Sequence, residues 1–150
     1  MTESIKCNPL LLSNQLCFPL YASARKIVAA YHPFLKEIGL TYAQYVTMMV
    51  LWEESITMHD LGKRLYLDSG TLTPVLKKLE GMGYLTRSRK PEDERVVIVE
   101  ITKEGMELRK KAEKVPYDMK CLINRKGELF TPEEAAALKE QLYRILHALE

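Results

Sequence analysis

The chain has 150 residues, 47% of them hydrophobic, which is enough to bury one substantial core and is most simply a single domain spanning residues 1–150. Its formal net charge of +2 is too small to argue for nucleic-acid binding by itself, so any such case rests on where the cations sit. No apolar run is long enough to span a membrane, no signal-peptide pattern opens the chain, and Cys7, Cys17 and Cys121 do not make a disulfide framework in a reducing compartment, so a cytoplasmic protein is expected.

Residues before Leu10 read as a loose arm. From Ser13 onward Leu16, Phe18, Leu20, Tyr21, Ala24, Ile27, Val28 and Tyr31 are apolar nearly all round, which predicts a helix buried against more than one neighbour, as in a dimer. Pro19 removes a ladder hydrogen bond from any helix already under way, so the first regular turn is expected near Cys17, or the helix bends there. Either geometry leaves Cys17 near a helix N-terminus. After His32-Pro33 and a break at Gly39, Thr41-Tyr42-Ala43-Gln44 is a capping box opening a helix through Tyr45, Val46, Met49, Val50 and Trp52. A second box, Thr57-Met58-His59-Asp60, opens a shorter helix through Leu61 and Leu65.

The stretch Asp68 to Glu80, DSGTLTPVLKKLE, begins with two short oxygen-bearing side chains, Asp68 and Ser69, suited to capping. Leu72, Val75, Leu76 and Leu79 share one helical face. Thr71, Thr73, Lys77 and Lys78 occupy the other, as in a helix whose first turns enter a DNA groove while its body packs on a core. Pro74 has no N–H to donate, so the ladder is expected to begin close to Thr71, and a start at Ser69 implies a distorted first turn. Beyond Gly81 and Gly83, Tyr84 to Arg89 and Arg95 to Ile101 flank the charged turn Lys90-Pro91-Glu92-Asp93-Glu94, a β-hairpin pattern. A helix followed at once by a basic hairpin predicts a winged helix-turn-helix over about residues 41–102. The helix takes the major groove, and Arg87, Arg89, Lys90 and Arg95 reach along phosphates or into the minor groove.

Past the hairpin, Thr102 caps a helix from Lys103 through Glu113 that ends before Pro116, and Cys121 follows in a segment of mixed character. The last helix carries Thr131 as cap, Pro132 at its first position and Glu134 to complete a capping box. Leu138, Leu142, Ile145 and Leu149 follow at four- and three-residue spacing. That seam needs a partner, so the terminal segments, about 13–38 and 116–150, are expected to interleave two subunits. The expected fold is mainly α with a small β wing, an intertwined homodimer.

Three motifs, NQLCF-LYA at Asn14 to Ala22, LTYAQY at Leu40 to Tyr45 and YLDSGTLTPVLKKLE at Tyr66 to Glu80, with EDER at Glu92 to Arg95, give the chain its resemblance to a known family. The chain resembles the MarR family of bacterial repressors, specifically its organic-hydroperoxide-sensing, OhrR-type branch, from about Ser13 to the last helix. The resemblance implies that Cys17 is the peroxide-reactive cysteine and that Tyr31 and Tyr42 hydrogen-bond it across the dimer. It implies that Asp93 orients Arg95 for insertion into the minor groove of a palindromic duplex operator, and that Asp68 to Glu80 is the recognition helix. An organic hydroperoxide is then the inducer: it oxidises Cys17 to a sulfenic acid, and a second thiol condenses with that product, either Cys121 or a small cellular thiol in a mixed disulfide. No resident cofactor or metal is implied.

Other readings remain open on the residues alone. A cysteine between Leu16 and Phe18 also suits an inert buried position, in which case the chain is a MarR-type repressor sensing a phenolic or other small ligand in the dimer cleft. A thiol peroxidase requires a thioredoxin-like βαβ pattern or a Cys-x-x-Cys motif, and the sequence has neither, so an enzyme is not expected. His32, His59 and His147 lack ligand spacing with the cysteines, against a metal sensor. A protein-interaction module lacks salt-sensitive binding to duplex DNA.

Overall fold

The helix that begins the ordered pattern is set by its prolines and by its end. In a computed structural model, which describes residues 8–150, a short 3-10 turn at Leu12–Asn14 precedes α1, Cys17–Glu37. Cys7 lies outside the described residues. Pro19 is the third residue of α1, where no ladder N–H is required, so the helix starts at Cys17 without a bend being needed. It also runs on through Pro33, at the loss of one ladder bond, and does not stop at His32-Pro33. It stops at Gly39, whose φ of +73° lets Leu40 N–H reach Leu35 O at 3.0 Å and Gly39 N–H reach Lys36 O at 3.1 Å.

The chain divides into two compact units, one ending at Val115 and one spanning Pro116–Glu150. The first holds the core. After α1 come α2 (Tyr42–Leu51), β1 (Ile56–Thr57), α3 (Met58–Leu65), α4 (Ser69–Gly81), β2 (Leu85–Lys90), β3 (Asp93–Ile101) and α5 (Lys103–Ala112). α2 opens on the expected capping box, with Gln44 N–H donating to Thr41 Oγ1 at 3.3 Å and Thr41 N–H to Gln44 Oε1 at 2.9 Å. The box at Thr57 is one-sided. Asp60 N–H donates to Thr57 Oγ1, but the aspartate, one carbon shorter than glutamate, accepts from the Thr57 hydroxyl at 2.8 Å instead of from its backbone.

Leu35, Met48, Leu51, Leu61, Leu72, Leu76, Leu79, Leu85 and Val99 form the innermost layer, joining α1, α2, α3, α4 and the sheet, with Val115, just past α5, packed into it. Met49, on α2, is exposed. The sheet is three-stranded and antiparallel, in the order β1-β3-β2: β3 is central, flanked by the wing strand β2 and by the two-residue β1, which pairs Ile56 with Val99. The hairpin turn is tighter than the five residues expected. Lys90 pairs with Asp93, leaving only Pro91 and Glu92 between the strands, and a register shift after Arg89 absorbs the extra residues of β3.

Past α5 the chain stays helical. α6, Lys114–Ile123, carries Pro116 at its third position, so that proline is tolerated inside a helix and Cys121 lies on α6, in place of the mixed segment expected. α7, Pro132–Ala148, opens on the expected capping box, with Thr131 N–H to Glu134 Oε2 at 2.9 Å and Glu134 N–H to Thr131 Oγ1 at 3.2 Å. No residue of α7 is buried, and the 21-residue α1 buries only Leu35. No helix among the described residues is long and apolar enough to cross a membrane.

Candidate nucleic-acid interface and thiol site

The first turn of α4 is built by Asp68, which accepts from Thr71 N–H at 2.8 Å. That bond, and others from the same turn, hold its carboxyl below the usual carboxylate range. The helix begins at Ser69, earlier than the start close to Thr71 expected from Pro74. The ladder opens with Leu72 N–H to Asp68 O at 2.9 Å, and Pro74 simply leaves the Gly70 carbonyl without its ladder donor. Leu72, Leu76 and Leu79 are buried, so Ser69, Thr71, Lys77 and Lys78 are presented outward and Thr73 is half-buried, its hydroxyl donating to Ser69 O at 2.7 Å. α3 meets α4 through a turn in which Tyr66 adopts φ +55° and Leu67 N–H reaches Gly62 O at 2.9 Å. A Cβ on Gly62 would lie 2.8 Å from Leu67 O, so the turn demands glycine there.

On the wing, Arg95 projects almost wholly into solvent, its side chain 92% exposed. Asp93 holds the base of that side chain: Arg95 Nε and backbone N–H both donate to Asp93 Oδ1 at 3.1 Å. These bonds lower the Asp93 pKa, so the pair stays charged across the neutral range. Arg89 and Lys90 are exposed beside it, with Arg89 donating to Glu94 O at 2.6 Å. Arg87 differs from these cations. It is half-buried and points back to Glu80, at the C-terminal end of α4, a partnership that reading Arg87 as one more wing cation missed although both residues flank the Gly81–Gly83 turn.

Cys17 is the first residue of α1 and is exposed, as are Leu16 and Phe18 on either side. Arg25 stacks over the Tyr21 ring at 5.4 Å, one turn further along the same face. Tyr31 and Tyr42 do come together, with ring centroids 5.0 Å apart, and Tyr45 completes the cluster at 6.1 and 6.3 Å. Burial first, and then the neighbouring phenols, push Tyr31 and Tyr45 above the ordinary tyrosine range. Cys17 does not join this cluster within one chain. Fourteen residues of continuous helix separate it from Tyr31, about 21 Å along the axis at 1.5 Å per residue, so a contact between this thiol and the Tyr31 phenol would require a second copy.

Cys121 is exposed on α6, one helical turn from Tyr117. A hydrogen bond with the Cys121 thiol is the main cause that raises the Tyr117 pKa. The i, i+4 spacing carried that signal in the sequence, but only once the segment is known to be helical. Among the described residues no group of three or more His, Cys, Asp and Glu side chains is placed to hold a metal ion.

The profile of the transcriptional regulators SarA/Rot matches residues 29–112. The organic hydroperoxide resistance transcriptional regulator of Bacillus subtilis strain 168 is 43% identical over 145 residues, covering 96% of this chain and 95% of that protein. AbfR of Staphylococcus epidermidis, in its reduced form bound to DNA, superposes with a TM-score of 0.75 at 34% identity over 93% of this chain and 95% of that one. AbfR in an overoxidised DNA-bound form and in a disulfide form is similar as well. A MarR variant of E. coli complexed with operator DNA superposes with a TM-score of 0.75 at 26% identity, over 87% of this chain and 93% of that one. With a winged helix-turn-helix, an outward arginine at the wing tip and a near full-length relative at this identity, the chain belongs to the SarA/Rot transcriptional regulators, MarR-type winged-helix proteins, in the branch of the organic-hydroperoxide resistance regulators.

Proposed function

We propose that this protein is a dimeric, cytoplasmic repressor that binds a palindromic duplex operator while Cys17 is reduced and lets go when an organic hydroperoxide oxidises it. The observation that carries this reading is the position of Cys17. The thiol sits at the exposed start of α1, a helix whose surface the chain itself leaves uncovered, so a second copy that covers α1 makes the packing of the dimer depend on the state of the sulfur. In that dimer Tyr31 and Tyr42 of one subunit lie within reach of the other's Cys17, where a phenol hydroxyl donating to sulfur favours the thiolate.

The thiolate attacks the terminal oxygen of the hydroperoxide. The sulfur–oxygen bond forms as the oxygen–oxygen bond breaks, leaving a sulfenic acid on Cys17 and an alkoxide that takes up a proton to become an alcohol. Leu16 and Phe18, exposed on either side, favour an alkyl or acyl chain over hydrogen peroxide. The sulfenic acid then condenses with the thiol of Cys121 from the other subunit, with loss of water. The resulting disulfide does not fit the reduced packing, and the two reading heads shift out of register with the operator. The disulfide form of AbfR supports this order of events.

On DNA, Asp68, Ser69, Thr71, Thr73, Lys77 and Lys78 face the major groove or its phosphates. Arg89, Lys90 and the Asp93–Arg95 pair serve the minor groove and the flanking backbone, with half-sites about 34 Å apart. The test is binding of the reduced protein to a promoter duplex from its own gene neighbourhood, before and after stoichiometric cumene hydroperoxide. Wild type is expected to release the duplex while Cys17→Ser holds it. Release by both variants, or by neither, rejects Cys17 as the sensor. A Cys121→Ser variant that still forms the same intersubunit band on a non-reducing gel rejects Cys121 as the condensing thiol.

A further inference from the structure

Glu80 and Arg87 stand at the two ends of the turn that joins α4 to β2. Arg87 reaches back with three donors: its backbone N–H to Glu80 Oε1 at 3.2 Å, Nε to Oε2 at 3.1 Å, and Nη2 to Oε2 at 2.7 Å. With side chains 22% and 37% exposed, this is the most covered of the ion pairs among the described residues, where each of the others exposes at least one partner by more than half. The main-chain turn between them is itself anchored: Gly83, φ +81°, donates to Glu80 O at 2.9 Å, Tyr84 N–H reaches Leu79 O at 3.0 Å, and the Thr102 hydroxyl donates to Gly83 O. Those bonds fix where β2 starts. Its pitch further out depends on what holds the strand beyond Leu85, and on the α4 side Arg87 ties it to Glu80.

The geometry has leverage. From Arg87 to the hairpin tip at Lys90 is about 10 Å of strand, so a tilt of about 10° at Arg87 moves the tip by about 2 Å, more than a guanidinium in a minor groove tolerates without losing its contacts. We propose that Glu80 and Arg87 are a positioning pair that sets the pitch of the wing against the recognition helix, so that α4 and Arg95 enter their grooves together, and that Arg87 is not itself a phosphate contact. The proposal rests on the DNA-binding reading above.

The two roles for Arg87 predict opposite signs for one substitution. If Arg87 served phosphates, Glu80→Gln would free it and remove a negative charge near DNA, and affinity would hold or rise. A positioning pair requires affinity to fall, by about tenfold for the loss of a half-covered charge-assisted pair. The experiment measures binding of reduced wild type, Glu80→Gln, Arg95→Ala and the double variant to the promoter duplex by fluorescence anisotropy, with thermal melts of each free protein. The expected result is weaker binding by Glu80→Gln and a smaller penalty for Arg95→Ala in that background than in wild type, because a mispitched wing has less left to lose. Reversing the pair, Glu80→Arg with Arg87→Glu, is expected to recover part of what Glu80→Gln loses. Binding by Glu80→Gln as tight as wild type, or an undiminished Arg95→Ala penalty, overturns the proposal. Should Glu80→Gln melt below the assay temperature, Arg87→Lys takes its place under the same criteria. A wild type that binds no duplex sinks the DNA-binding reading and the pair with it, whereas tight wild-type binding unchanged by the variants sinks the pair alone.

Discussion

Tyr45 is 4% exposed, and its ring is enclosed by Tyr31, Tyr42 and the edge of Trp52, whose centroid is 6.5 Å away. Burial first, then the neighbouring phenols, raise its pKa, so the folded protein holds the Tyr45 proton more tightly than the unfolded chain does. The sign follows. The neutral phenol's contribution is fully present below the ordinary tyrosine pKa of about 10 and is lost as pH rises above it toward the folded value. Thermal midpoints from pH 8 to 11 are therefore expected to fall more steeply for wild type than for Tyr45→Phe, which keeps the ring and discards the ionisable group. Equal slopes would show that Tyr45 is not the group resisting ionisation. Cys17 illustrates the reverse case at the same scale. It is solvent-exposed in a single chain, and in the dimer proposed above the phenols that would tune its sulfur come from the second copy, so that reactivity would belong to the assembly and not to Leu16-Cys17-Phe18 alone.

Among the elements, those closed by local chemistry were legible and those closed by distant partners were not. The capping boxes at Thr41 and Thr131 each bind a side chain three residues on, and both stand as expected. The wing, the recognition helix and the start of α1 at Cys17 followed from alternation, capping and proline position in the same way. The strand Ile56–Thr57 was invisible because two residues take strand geometry only by pairing with Val99 and Ile98 more than forty residues away. Pro116 misled in the other direction: at a third helical position no ladder bond is missing, so the chain stays helical where an end was expected. The Glu80–Arg87 tie was hidden because each residue read plausibly as surface charge. The start of α5 depends on another contact of this kind. A Cβ at Gly105 would lie 2.1 Å from Tyr84 O and 2.8 Å from Ile101 Cγ1, and Trp52 Nε1 donates to Gly105 O at 2.8 Å. Gly105→Ala must push α5 off the sheet and is expected to cost about 1–3 kcal/mol, lowering the melting midpoint by about 3–9 °C. Trp52 is the sole tryptophan of the chain, so its emission reports the same displacement. An unshifted midpoint and an unchanged emission would mean that the contact relaxes without effect.

At the scale of the whole molecule, the chain leaves much apolar surface uncovered. Leu138, Leu142 and Ile145 on α7 are each 38–41% exposed, and Leu16, Phe18, Ile27 and Val28 on α1 are exposed too, a quantity of apolar surface at helical spacing that marks an interface. The core that folds α2 through α5 is complete without α7, since every residue of the main hydrophobic cluster lies at or before Val115. These two facts make separable demands on one substitution. Leu142→Asp sets a charge in the middle of the α7 seam, where a dimer would have to bury it unpaired, while leaving the core cluster untouched. The variant is expected to sediment as a monomer at concentrations where wild type is a dimer, and to keep the cooperative melt of the unit ending at Val115. It is also expected to lose about 10²- to 10⁴-fold in operator affinity, because two reading heads no longer share one encounter with the palindrome. A variant that stays dimeric would mean that α7 is not the seam. One that becomes monomeric yet binds the full operator as tightly as wild type would mean that the two recognition helices do not act as a pair, and a switch that works by moving one subunit against the other would then have nothing to move.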